Sequence, residues 1–108
     1  MFRAEPERLS PDQTVELADM LRIMGDPNRL GILLACLSAE AAVGRIAASL
    51  GLTDSLVSHH LRLLRAARLV RARRQGKQVF YTVADAHVRS VLSDLIAHVR
   101  EPGQRGAE

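Results

Sequence analysis

The stretch from Thr53 to Val83, TDSLVSHHLRLLRAARLVRARRQGKQVFYTV, leaves few folds open to this chain. In its first part Val57, Leu61 and Leu64 recur at i, i+4 and i+7, the spacing of one apolar helix face. In its last part Val79, Tyr81 and Val83 alternate as strand residues do, and Gly76 supplies the positive φ of a tight turn. A helix therefore runs from a Thr53 cap to about Ala67. A hairpin follows, with strands Leu69 to Arg74 and Gln78 to Val83 around a Gln75-Gly76-Lys77 turn. Upstream, Val43, Ile46, Ala47 and Leu50 mark a short helix, joined to the next by Gly51-Leu52-Thr53. Helix, glycine-containing turn and helix make a helix-turn-helix. The expected fold is mainly α, with a two-stranded β-hairpin wing.

The same stretch carries the charge. Residues 55–84 hold seven Arg and Lys and no Asp or Glu, while both flanks are mildly acidic, so the net charge of +3 conceals one strongly basic segment. One-sided basicity is the electrostatic footprint of nucleic-acid binding, whereas a merely solvated face usually mixes signs. Ser55, Ser58, His59 and Arg62 fall on one polar face of the second helix. Small hydroxyls let a backbone approach base edges, and His59 and Arg62 can donate to bases or phosphates. Arg73, Arg74 and Lys77, near the hairpin tip, are placed to grip the DNA backbone, adding affinity and salt dependence but no sequence choice. Asp54 is out of place on such a surface: it either accepts from a cytosine amino group or weakens phosphate contacts.

The rest of the chain frames this unit. Ser10-Pro11-Asp12-Gln13 is a capped helix start, followed by an apolar stripe of Val15, Ala18 and Leu21, with Leu17 and Met24, up to a stop at Gly25. Asp26-Pro27 begins a second helix whose run from Leu30 to Leu37 is apolar nearly all round, as a central helix is. Residues 1–9 read as a flexible arm, 10–101 as one DNA-binding and dimerisation domain, and 102–108 as a flexible tail. With 108 residues, 47% apolar and no Trp, the core is aliphatic. The lone Cys36 rules out an internal disulfide framework and reads as a buried, inert thiol. No apolar run reaches the length of a membrane span and no signal-peptide pattern opens the chain, so a cytoplasmic protein without a membrane partner is expected. No Gly-rich phosphate loop or hydrolytic metal motif suggests an enzyme.

Asp85 opens a last helix, to about Arg100, with a broad stripe of Val88, Val91, Leu92, Leu95, Ile96 and Val99. In so small a domain, the neighbour for such a stripe can be a second copy, giving a homodimer. His87 and His98 are eleven residues apart and differ by about 20° around the helix, with Glu101 one turn further on. Along the axis they are about 16 Å apart, too far for one metal within one chain. If two copies pair this helix antiparallel, Asp85 and His87 of one meet His98 and Glu101 of the other. Two imidazoles and two carboxylates suit Zn(II) or Co(II), and without thiolates they suit softer ions poorly. Plain alternatives remain: Asp85 is a good helix cap with or without metal, and paired histidines on a helix are commonly just solvated.

The chain resembles the ArsR/SmtB family of winged-helix repressors from Leu17 to Glu101, most specifically in GDPNRLGIL, VSHHLRLLR and RRQGKQVFYTV. The resemblance implies a homodimer that binds double-stranded operator DNA and releases it when a metal or other effector binds. One subgroup takes Zn(II) or Co(II) between the terminal helices through an Asp-x-His pair and a His-x-x-His or His-x-x-Glu pair. Asp85-Ala-His87 and His98-Val-Arg-Glu101 match that pattern. Other members carry a thiolate motif before the turn, but here Ala42 stands in the cysteine's place and Arg45 in the acid's. Arsenic, lead and cadmium sensing are thereby put in doubt. Two further readings stay open: the same DNA-binding dimer responding to Ni(II) or a non-metal effector, and a winged-helix module for protein association without an operator.

Overall fold

The computed structural model describes residues 8–102. The arm expected over 1–9 and the tail over 102–108 lie outside it, apart from residues 8, 9 and 102. In chain order the elements are α1 (Pro11–Met24), α2 (Pro27–Ser38), β1 (Ala41–Ala42), α3 (Val43–Leu50), α4 (Asp54–Ala66), β2 (Val70–Gln75), β3 (Gln78–Val83) and α5 (Ala86–Arg100).

The helix starts follow their caps. Ser10 Oγ accepts the Gln13 N–H at 3.1 Å, and Gln13 returns the bond to the Ser10 N–H at 2.9 Å, a complete capping box. Asp26, Thr53 and Asp85 each cap their helix by accepting a backbone N–H three residues on. The end of α1 departs from expectation. Gly25 has φ −77°, so no left-handed glycine stops the helix. Instead Asp26 turns the chain extended, the conformation a following proline imposes, and its carboxylate starts α2.

One core holds the helix-turn-helix together. Ile32, Leu33 and Cys36 of α2, Ile46 and Ala47 of α3, and Val57, Leu61 and Leu64 of α4 are buried with Leu69, Val70, Val83 and Leu92. The α3–α4 turn rests on Gly51, whose φ of +69° is open to glycine at no steric cost. At the end of α4 the same left-handed conformation falls on Arg68, φ +62°. Its N–H reaches the Arg65 carbonyl and the Leu69 N–H reaches the Leu64 carbonyl, both at 2.9 Å. This is a Schellman motif in which buried Leu64 and Leu69 supply the usual apolar contact and arginine replaces the usual glycine.

The sheet has three strands in the order β1-β3-β2, not the two expected. Both pairings are antiparallel, with Ala42 and Arg73 flanking Phe80 from either side. Gln75 pairs with Gln78, so the wing turn is the two residues Gly76-Lys77 and not three. Gly76 takes φ +64° at the first turn position, as a tight hairpin requires.

The outer helices behave differently from the core. In α1 the residues packed on the core are Met20, Ile23 and Met24, while Val15, Leu17 and Leu21 of the expected stripe are exposed. In α5 only Leu92 is buried, and Val91, Leu95 and Val99 are 48–73% exposed. Among the described residues, no helix is long and apolar enough to cross a membrane.

Candidate nucleic-acid interface and metal ligands

Helix α4 turns its polar side outward. Asp54, Ser55, His59 and Arg62 are exposed and Ser58 is half-buried, while Val57, Leu61 and Leu64 point into the core. The face expected to approach DNA is thus presented as one surface. Asp54 lies in the first turn of α4, where a carboxylate favours the positive end of the helix dipole. That local role accounts for an acid at this position without a base contact.

His60, one residue past His59, is rotated by 100° onto the inner face and is only 8% exposed. Its Nδ1 is buried without a hydrogen-bond partner in the structure. Burial first, and Arg29 second, hold its pKa below the ordinary imidazole value, against the opposing pull of Asp26. The folded state therefore takes up this proton less readily than the unfolded chain does. The stability tied to His60 is fully present above about pH 6.5 and lost as pH falls through the lowered value. Asp26 and Asp85 are held below the usual carboxylate range, chiefly by the backbone N–H groups they cap, and Glu40 chiefly by Arg73. Their contribution has the same sign but lies lower, present above about pH 4 and lost in acid. The denaturation midpoint is expected to be flat near pH 8 and to fall in two stages on acidification. His60→Gln should remove the upper stage alone, and its persistence in that variant would assign it elsewhere.

The wing cations are not equivalent. Arg74 and Lys77 are exposed at the tip and make no hydrogen bond or ion pair among the described residues. Arg73 is engaged: its Nε and Nη2 donate to the two carboxylate oxygens of Glu40 at 2.8 and 2.9 Å, and its Nη1 to Gln75 Oε1 at 3.1 Å. Nothing in local spacing marks this pair, since Glu40 lies 33 residues upstream and is delivered by β1. Arg68 is similarly tied to Glu16 of α1 at 2.6 Å.

The metal-ligand candidates lie at the two ends of α5. At its start Asp85 Oδ1 accepts the Val88 N–H and lies 3.8 Å from His87 Nδ1, with both side chains exposed. At its end His98 and Glu101 are exposed, and the Glu101 N–H donates to the His98 carbonyl. Between them runs the exposed stripe of Val91, Leu95 and Val99. Within the single chain, no three His, Cys, Asp or Glu among the described residues come together. Cys36 is fully buried, and desolvation pushes its thiol up to about 11, so it is protonated at neutral pH and is neither ligand nor nucleophile. Ala42 sits in β1 and Arg45 is exposed on α3, so no thiolate or acid occupies the corner before the turn.

Comparison with known proteins agrees with this architecture. The profile of the family described as "Bacterial regulatory protein, arsR family" matches residues 26–72, from the α2 cap into β2. The "Transcriptional repressor SmtB homolog" of Synechocystis sp. is 37% identical over 99 residues, spanning 92% of this chain and 75% of that protein. Among solved structures, the "cadmium metal-sensor CMTR" of Mycobacterium tuberculosis superposes with a TM-score of 0.66 at 41% identity, covering 80% of this chain and 95% of that one. The "homodimeric winged helix-turn-helix DNA-binding domain" Mb0332 of Mycobacterium bovis superposes with a TM-score of 0.72 at 27% identity, covering 85% and 90%. With a winged helix-turn-helix built on one core and a relative of this identity matching nearly its whole length, the chain belongs to the ArsR/SmtB family of bacterial transcriptional regulators.

Proposed function

We propose that this chain is a metal-responsive repressor that binds operator DNA as a homodimer and is released by Zn(II) or Co(II) held between the α5 helices of two subunits. It is a regulator and not an enzyme. The observation that carries the reading is the layout of α5: one Asp-His pair and one His-Glu pair at opposite ends of a helix whose middle is exposed and apolar. Two such helices packed antiparallel bury the stripe and bring Asp85 and His87 of each copy to His98 and Glu101 of the other. Capping does not disqualify Asp85, because an ionised carboxylate has acceptor sites beyond the one given to the Val88 N–H.

The donor chemistry selects the ion. Nitrogen and oxygen ligands in a four-coordinate set fit Zn(II) or Co(II). A relative bears the name of a cadmium sensor, but a soft ion favours thiolates, and the one thiol of this chain is buried and protonated. Ni(II) is the less suited borderline ion because it favours square-planar or larger donor sets.

In the DNA-bound form Ser55, Ser58, His59 and Arg62 of α4 face the major groove, while Arg74 and Lys77 hold the backbone. Two copies must present α4 to half-sites about 34 Å apart, so whatever fixes the angle between the α5 helices fixes the fit. Metal and DNA are then reciprocally coupled, typically by 5- to 150-fold.

A Co(II) titration read by visible absorption, alongside operator-length duplex binding, tests this. One ion per chain with intense tetrahedral bands and at least fivefold weaker DNA binding is expected. His98→Ala should abolish both effects while leaving metal-free DNA binding intact. Weak octahedral spectra indifferent to the substitution would sink the metal site and leave a DNA-binding dimer with another effector.

A further inference from the structure

We infer that Glu40 withholds Arg73 from the DNA backbone, so that each wing grips phosphate through Arg74 and Lys77 alone; the inference rests on the DNA-binding reading above. Arg73 stands in the most basic strand of the chain, and by charge and position it belongs with its neighbours. Its surroundings say otherwise. Each of its three guanidinium nitrogens already has a protein acceptor: Nε and Nη2 on the two Glu40 oxygens, Nη1 on Gln75. The guanidinium carbon lies 5.2 Å from the centroid of the Phe80 ring, which covers one face.

The sheet builds this arrangement. Phe80 on β3 is paired with Arg73 on one side and Ala42 on the other. The two-residue strand β1 thereby fixes the chain just after Glu40 against β3, opposite Arg73. Glu40 also acts electrostatically on Arg71, two residues along the same strand face. A bidentate carboxylate uses the same pair of donors that a phosphate would use. Phosphate can claim Arg73 only by displacing Glu40 and leaving that carboxylate unpaired beside the polyanion. Among the described residues, Arg62, Arg74 and Lys77 have no such internal acceptor.

The test is duplex binding across a salt series, because the slope of log K against log salt counts phosphate contacts at about 0.9 each. Expected per chain, Arg74→Gln makes the slope shallower by about 0.9 and Arg73→Gln leaves it unchanged. Glu40→Gln frees Arg73, steepens the slope by about 0.9, and tightens binding severalfold at low salt. The double variant Glu40→Gln with Arg73→Gln returns to the wild-type slope. An Arg73→Gln slope as shallow as that of Arg74→Gln overturns the inference, as does a Glu40→Gln slope equal to wild type. Wild-type protein with no salt-dependent duplex binding would instead overturn the DNA-binding reading itself, and this inference with it. Circular dichroism and melting of each variant separate loss of contact from loss of fold.

Discussion

On the proposed repressor reading, Leu95→Glu is expected to turn the homodimer into a folded monomer and to lower operator affinity by about two to four orders of magnitude. The residue is 48% exposed in the single chain and lies between Val91 and Val99 on the outer side of α5. With Leu21, Met24, Leu30, Leu34, Leu92 and Ile96 it borders a groove of about 430 Å³ among α1, α2 and α5. The monomer fold tolerates a carboxylate there, because the side chain already reaches solvent. In a two-fold dimer the same carboxylate is buried, and it appears twice, once from each subunit. Burying such a charge without a partner is strongly unfavourable. A separated monomer reads one half-site, so it loses the effective concentration supplied by the second and about half of the salt slope. Sedimentation gives the mass and duplex titration the affinity. A variant that stays dimeric at micromolar concentration with unchanged affinity would move the interface away from α5.

Much of this fold is written locally. Four helices start at Ser10, Asp26, Thr53 and Asp85, and at each the side-chain oxygen of the cap accepts a backbone N–H, as its residue type allows. The inner face of α4 and the wing turn at Gly76 follow from spacing and from one glycine. What is not legible depends on contacts distant in sequence or on residues carrying the wrong local signal. β1 consists of two alanines, poor strand formers without any alternation, and exists because β3 has a free edge for them to pair with. Arg68 takes the left-handed position that a glycine usually announces, so the Schellman turn is hidden. Gly25 gives the opposite error, since the glycine is present but the proline two residues later does the stopping.

The same division runs through the candidate sites. The polar face of α4 is a helical repeat and can be counted from the sequence. Arg73 reads as a free cation because its partner is 33 residues away. His60 passes unnoticed beside His59 until the helix turns it inward, where an unpartnered nitrogen makes it a liability in acid. Val15, Leu17 and Leu21 read as an apolar stripe, but apolar spacing alone does not say what covers a stripe. In the single chain they are exposed.

Leu64→Ala separates burial within one chain from burial between two. Leu64 has no exposed surface, and its carbonyl accepts the Leu69 N–H that closes the turn from α4 into the wing. Truncating such a leucine removes its transfer free energy and leaves a cavity, about 3 kcal/mol together. That is a large share of the 5–15 kcal/mol typical of a whole domain. The loss should appear in the denaturant midpoint with an unchanged m-value, and by the same free energy at every protein concentration. Leu95→Ala, truncated at an exposed site, should cost little when the protein is dilute. Its loss should grow with concentration if the proposed dimer forms, because that side chain is 48% exposed in the single chain and is buried only in the proposed dimer. DNA binding should follow the same logic. Folded Leu64→Ala protein loses affinity through a looser angle between α4 and the wing, whereas Leu95→Ala loses it only as the dimer dissociates. A loss below about 1 kcal/mol for Leu64→Ala would mean that the core reseals around the cavity, and that α4 is held by its turns more than by its packing.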